Sequence, residues 1–318
     1  MPIIERDPWR MQYFEGADCP EDVLIPTEEQ DAWHLFPKHR WTFNKLQVAE
    51  SQGLDCGLHG MDPPGYPVFS KPVYNMRGMG AGSRVLRSDK EYQRYLRPGH
   101  IWTTLLEGEH VSSDIAVVQG QAVWWRHVLG RALEDGKFDY WTVLAESRPE
   151  IERYCGEWIR RNLPDYTGMV NLETIGARII ECHLRFSDQW PDLYGEGWLD
   201  ALVRLYAEGV WHYQDQDRRD GYSVVLFGAH GIEYSHPDPA LVPRLLEHPS
   251  VSSIQVTFHA DKPSWAHSMP PGGFRLAIVN CWDLDAGLAV RQELALAFWT
   301  TQRLVRRRGA GRKPAAGA

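Results

Sequence analysis

Hydrophobic and polar positions alternate most regularly between residues 166 and 185. Side chains on a strand alternate faces, so Asn171 and Glu173 share one face of a first strand, and Glu181, His183 and Arg185 share one face of the next. Met169, Val170, Leu172, Ile179, Ile180 and Leu184 supply the apolar side, and Thr174, Ile175, Gly176 and Ala177 form a connection short enough for a hairpin. A second hairpin is expected over 115–125, with Gln119 and Gly120 in its turn and Arg126 and His127 at its end, facing a cleft. Helical spacing predicts helices over 88–96, 150–162 and 198–209, the second with Ile151, Tyr154, Cys155, Trp158 and Ile159 on one face. Further on, 222–228, 251–259 and 274–280 read as strands and 283–299 as a helix.

The first hairpin therefore gathers carboxylates, an imidazole and a guanidinium on one face. This combination suits a divalent ion bound to phosphates: magnesium takes hard oxygen ligands and completes its shell with carboxylates, phosphates and water. About ninety residues upstream, an apolar strand over 66–71 ends in Lys71 and is followed by a glycine-rich loop containing Gly78, Gly80, Gly82 and Ser83. Glycine lets backbone N–H groups approach an anion closely, and a lysine beside such a loop is a point charge for phosphate oxygens. The Walker pattern is absent, because no Gly-Lys-Ser or Gly-Lys-Thr follows. The Rossmann pattern fails as well, because these glycines open a strand.

Taken in order, the strand ending in lysine, the glycine loop, the Glu107-Gly108-Glu109 segment and the paired acidic strands resemble the nucleotide site of the ATP-grasp superfamily over residues 41–195. The resemblance implies an α+β ATP-grasp fold, two α+β subdomains clasping a nucleotide. Residues 44–54 are similar to the family's leading helix, with Lys45 directed at phosphates. Lys71 matches the lysine of the family's phosphate-binding strand, and 78–83 matches its loop over the phosphates. Residues 101–114 are similar to the hinge strand, where the backbone near Thr104 and Leu105 reads adenine and Glu109 takes the ribose hydroxyls. Glu173 and Glu181 match the metal carboxylates, and Arg185 matches the arginine that steadies the transferring phosphoryl group. His183 stands where the family usually has asparagine. It therefore admits Mn2+ beside Mg2+, or a hydrogen bond in place of ligation.

By the same resemblance, 196–304 forms a C-terminal cap, while 1–40, with Pro8, Pro20, Pro26 and Pro37, is an irregular extension in place of the family's usual N-terminal domain. Substrate recognition then falls to the cap, to a second subunit in a homodimer or to a partner protein. The basic, glycine-rich 305–318 segment is expected to be disordered.

Composition narrows the class. The 318 residues are 43% hydrophobic, ample for a packed core. A net charge of −8 argues against general nucleic-acid affinity. No apolar run suggests a signal core or a membrane span, so a cytoplasmic location is expected. Five widely spaced cysteines without a Cys-x-x-Cys pair read as reduced thiols, with Cys182 turned into the core. His230, His236, His259 and His267 fit no zinc spacing.

The expected activity is that of an ADP-forming carboxylate-amine ligase using ATP and Mg2+. A small-molecule or peptide carboxylate is activated as an acyl phosphate and captured by an amine. A phosphotransferase on the same scaffold and a non-catalytic ATP-binding module are the alternatives.

Overall fold

The alternating segments assemble into two antiparallel sheets of unequal size. A computed structural model describes residues 3–74, 80, 82–267 and 272–298. Gly78 and the basic tail lie outside the described residues. The chain begins with a short parallel pairing of β1 (Ile3–Ile4) with β2 (Ile25–Pro26), enclosing helix α1 (Pro8–Met11). Helices α2 (Glu29–Leu35) and α3 (Lys45–Glu50) follow. Next come β3 (Cys56–Leu58), β4 (Val68–Pro72), β5 (Arg84–Leu86), α4 (Asp89–Arg94) and β6 (His100–Thr104), whose strands form a four-stranded sheet in the order β3-β6-β4-β5.

The large sheet takes β7 (His110–Val118), β8 (Gln121–Ala132) and β9 (Phe138–Val143), then, after α5 (Pro149–Asn162), β10 (Gly168–Ile175) and β11 (Arg178–His183). Helix α6 (Trp198–Glu208) precedes β12 (Gly221–Gly228), α7 (Leu241–Leu246), β13 (Val251–Val256), β14 (Phe274–Cys281) and α8 (Leu284–Phe298). The eight strands run β11-β10-β7-β8-β9-β12-β14-β13. Strands of the 196–304 segment thus extend the same sheet that carries the acidic hairpin, joined by pairs such as Ser223 with Trp141. Among the described residues no helix is long and apolar enough to cross a membrane.

Both faces of the central strands are covered. On one side Val170, Leu172, Ile179 and Leu184 meet Ile151, Cys155, Trp158 and Ile159 of α5. On the other, Met169, Trp124 and Phe186 meet Trp198, Leu202 and Leu205 of α6, together with Ile3, Phe14 and Ile25 of the N-terminal segment. Met169, expected beside Val170 and Leu172, therefore lies on the opposite face, as strict alternation requires. Burial of this size is the dominant stabilising term for the sheet, at about 25 cal/mol per Å² of apolar surface.

Local chemistry fixes the connections that matter. The hairpin turn is two residues, Gly176 and Ala177, both at positive φ (54° and 60°), the conformation of a type I′ turn. A Cβ at Gly176 would stand 2.3 Å from the Glu107 carbonyl oxygen, so glycine is required there twice over. The Asn44 side chain accepts from the amides of Leu46 and Gln47, capping α3 and starting the helix at Lys45. The run 101–114, expected as one strand, is two: β6 belongs to the small sheet and β7 to the large one, and Leu105–Glu109 crosses between them. Five residues with Gly108 at φ 121° cannot continue the pleat, which is why the strand breaks.

Candidate active site

The two sheets meet at the acidic hairpin. Glu173 and Glu181 are register partners across β10 and β11, and Asn171 faces His183. Their side chains therefore share one face. The described residues contain one group of three or more potential metal ligands, and it is Glu173, Glu181 and His183, with one ligand atom from each lying within 4.8 Å of the others.

Lys45, at the first turn of α3 and 5% exposed, reaches this group: Nζ donates to Glu181 Oε1 at 2.5 Å. The Lys45 amide donates to the Val73 carbonyl at 3.0 Å, which ties the helix to the end of β4. Lys71, also 5% exposed, donates from Nζ to the Ile180 carbonyl at 2.9 Å, one residue before Glu181. Burial pulls its ammonium down to about 8, against the opposing attraction of Glu181. The structure thus brings together Lys45, Lys71, Glu173, Glu181 and His183 from segments more than a hundred residues apart.

The remaining polar contacts hold these groups in place. His110 Nε2 lies 3.1 Å from Glu173 Oε2. Burial alone would push the Glu173 carboxyl up, but the bond and charge of His110 hold it down at about 2. Glu29, from α2, accepts from His183 Nδ1 at 2.9 Å and from Arg185 at 2.5 Å, both on Oε1. Burial likewise opposes its ionisation, and Arg185 and His183 overcome that to keep it near 2. Arg185 also donates to the Phe186 carbonyl at 3.0 Å. Asn171 is occupied within the sheet, donating to Ser112 Oγ at 2.9 Å and Asp114 Oδ1 at 2.7 Å.

Other expected residues lie further out. Gly80 and Gly82 adopt positive φ (60° and 80°), and the Ser83 amide donates to the Gly80 carbonyl, forming a turn at the start of β5. The Thr104 amide donates to the Asp55 carbonyl at 2.9 Å, with Leu105 following in the crossing segment. Glu109 is half-exposed, 3.9 Å from an Arg148 guanidinium nitrogen. Its neighbour His110 is the residue that faces the acidic cluster. Arg126 and His127 do not reach a cleft. Arg126 is buried against Asp215 at 2.9 Å, and His127, fully buried on the opposite face, bridges Ser113 and Glu152. His267 stacks on Phe258 and accepts the His259 amide, a packing role.

No family model matches the chain, and no curated protein matches its sequence. Solved structures do match its shape. An L-amino acid ligase from Bacillus licheniformis superposes with a TM-score of 0.60 at 14% identity, covering 91% of this chain and 82% of its own. Phosphoribosylamine–glycine ligase from Thermotoga maritima gives 0.58 at 15%, covering 91% and 85%. The biotin carboxylase domain of Hydrogenobacter thermophilus 2-oxoglutarate carboxylase, solved as a dimer with MgADP, ADP and bicarbonate, gives 0.54 at 13%, covering 86% and 72%. The chain has the ATP-grasp fold.

Within the ATP-grasp frame, sequence reading missed two contributors. His110 follows Glu109 directly and opens β7, where no local signal marks its partner Glu173. Glu29 lies in a segment read as irregular, and an acidic residue opening a seven-residue helix carries no mark of its destination. Lys45 and Lys71 were legible because one opens α3 and the other lies next to the end of β4.

Proposed function

We propose that this chain is an ATP-dependent ligase that activates a carboxylate as an acyl phosphate and joins it to an amine, releasing ADP and phosphate. The observation that carries the reading is the convergence of two buried lysines from the small-sheet side on a carboxylate pair from the large sheet. Buried cations beside paired carboxylates form a site of opposed charge that a triphosphate and a divalent ion complete.

Glu173, Glu181 and His183 fit a divalent ion, since the buried His183 Nε2 makes no hydrogen bond and faces both carboxylates. Mg2+ or Mn2+ held there would neutralise charge on the phosphates. Lys45 and Lys71 hold phosphate oxygens, and the turn at Gly80, Gly82 and Ser83 lies beside them. The Leu105 region and Glu109 take the adenine and ribose. Arg185, whose guanidinium is positioned by Glu29, steadies the transferring phosphoryl group and the oxyanion formed at the acyl carbon. Positioning and electrostatics supply the acceleration, with no covalent enzyme intermediate required.

An ADP-release screen of carboxylates against amines, with mass detection of products and Glu181→Gln as control, tests the reading. Release of ADP with a new amide mass in the wild type alone is the expected result. A stable phosphorylated product would instead assign the chain to phosphotransfer. Equal release by wild type and control would refute the role given to Glu181.

A further inference from the structure

The three potential ligands share a pattern. Each has one atom held by a neighbour and a second atom turned toward a common point. Glu181 gives Oε1 to Lys45 at 2.5 Å and turns Oε2 inward. Glu173 gives Oε2 to His110 at 3.1 Å and turns Oε1 inward. His183 gives Nδ1 to Glu29 at 2.9 Å and turns Nε2 inward.

We propose that His183 ligates a divalent ion through Nε2, and that Glu29 is the positioning residue that selects this nitrogen, giving a nitrogen-containing centre that prefers Mn2+ or another first-row transition ion over Mg2+. The proposal rests on the ligase reading only in placing the ion beside the nucleotide. It requires no particular acceptor.

An imidazole that donates from Nδ1 to a carboxylate presents a lone pair at Nε2, and such carboxylate–histidine pairing is how proteins fix the ligating tautomer. His183 is 8% exposed, so an idle ring nitrogen there is costly. Yet Nε2 has no hydrogen-bond partner. It stands 3.6 Å from Glu181 Oε2 and 3.8 Å from Glu173 Oε1, too far for hydrogen bonds to either. Two metal–ligand bonds of about 2.0–2.2 Å span up to roughly 4.4 Å, so both separations suit a shared ion. Imidazole suits first-row transition ions such as iron and zinc, and Mn2+, which shares the carboxylate chemistry of Mg2+, accepts a nitrogen ligand more readily than Mg2+ does, which sets the expected preference.

Glu29 reaches the site from α2, in the N-terminal segment. Its second donor, Arg185, shares the same oxygen and fixes the carboxylate from the other side. Removing the carboxylate frees the His183 ring to rotate while leaving Glu173 and Glu181 in register.

The test uses the full-length protein with Mn2+ as probe, alone and with ADP. Pulsed electron paramagnetic resonance of the wild type should show coupling of the bound ion to one histidine 14N, and His183→Asn should abolish that coupling. Glu29→Gln should weaken Mn2+ binding by about 10–100-fold with secondary structure unchanged by circular dichroism. Bound Mn2+ without nitrogen coupling in the wild type would overturn the proposal, and needs no variant to be decisive. So would Glu29→Gln binding Mn2+ as tightly as the wild type, or a wild type that binds no Mn2+ in either state. Missing nitrogen coupling, or tight Mn2+ binding by Glu29→Gln, leaves the ligase reading standing, and the ADP-release screen with MgATP decides that reading separately.

Discussion

The ammonium of Lys45 donates to the Glu181 carboxylate across 136 positions of chain. This one bond joins the helix at the head of the small sheet to the acidic edge strand of the large one. Because Lys45 is buried and Glu181 mostly so, the pair is both a structural clasp and part of the site.

Replacing Glu181 with Gln removes the charge that Lys45 meets. Stability should fall by about 1.5–3 kcal/mol, the range for hydrogen bonds to charged groups, while the fold persists. Urea unfolding followed by circular dichroism measures this. A second substitution, Lys45→Met, should recover part of the loss in the double variant, because it removes the stranded cation. Strict additivity of the two changes would show that the pair is not coupled.

Lys71 should dominate nucleotide affinity. Lys71→Ala should weaken ATP binding more than His183→Asn does, and calorimetric titration giving the reverse order would displace the phosphate grip from Lys71.

Proton uptake should accompany that binding. Burial holds the free ammonium near 8, below its ordinary 10.5, so the unliganded chain progressively loses the proton as pH rises through 8. Phosphate oxygens favour the charged form, so ATP binding restores the proton in the window between those values. Calorimetry at about pH 8.5 in two buffers of different ionisation enthalpy should register net uptake in the wild type and little in Lys71→Arg. Equal uptake in both would assign the proton elsewhere.

Arg10 clamps the N-terminal segment. It is 6% exposed and pairs with Glu28 at 2.6 Å, Asp7 at 2.7 Å, Glu5 at 3.2 Å and also Asp188. Arg10→Met should cost about 3–5 kcal/mol, because four carboxylates lose their shared cation. A loss below about 1 kcal/mol in chemical denaturation would mean that the cluster is solvated in the folded state.

The hairpin turn offers a steric test. Gly176→Ala must place a methyl group against the Glu107 carbonyl in left-handed backbone, whereas Gly197→Ala meets only the backbone cost, with no atom within 4 Å of the added Cβ. The first should lose clearly more stability than the roughly 1–2 kcal/mol expected of the second, and should lower turnover by shifting the β10–β11 register. Equal losses would show that the turn yields without strain.

Much of this arrangement was legible in the chain. Alternation placed Glu173 with Glu181 and His183 on one face, and the helix and strand boundaries around α5, α6 and the last three strands agree with the periodicity within a few residues. The crossing at Leu105–Glu109 was not legible, because only tertiary pairing assigns β6 and β7 to different sheets. Glu29 was invisible for a related reason. A carboxylate whose partners lie 150 positions away leaves no local trace, and its role emerges only when the N-terminal segment closes over the large sheet.

The shared sheet has a practical consequence for dividing this protein. Strand β9 is bordered on one side by β8 and on the other by β12, a strand supplied from beyond residue 195. A fragment ending there would bare the backbone of Phe138–Val143 along with Tyr140 and Trp141, an aggregation-prone margin. The part up to residue 195 is therefore expected to be insoluble when expressed by itself, and dissection of the protein is better attempted by point substitution than by truncation.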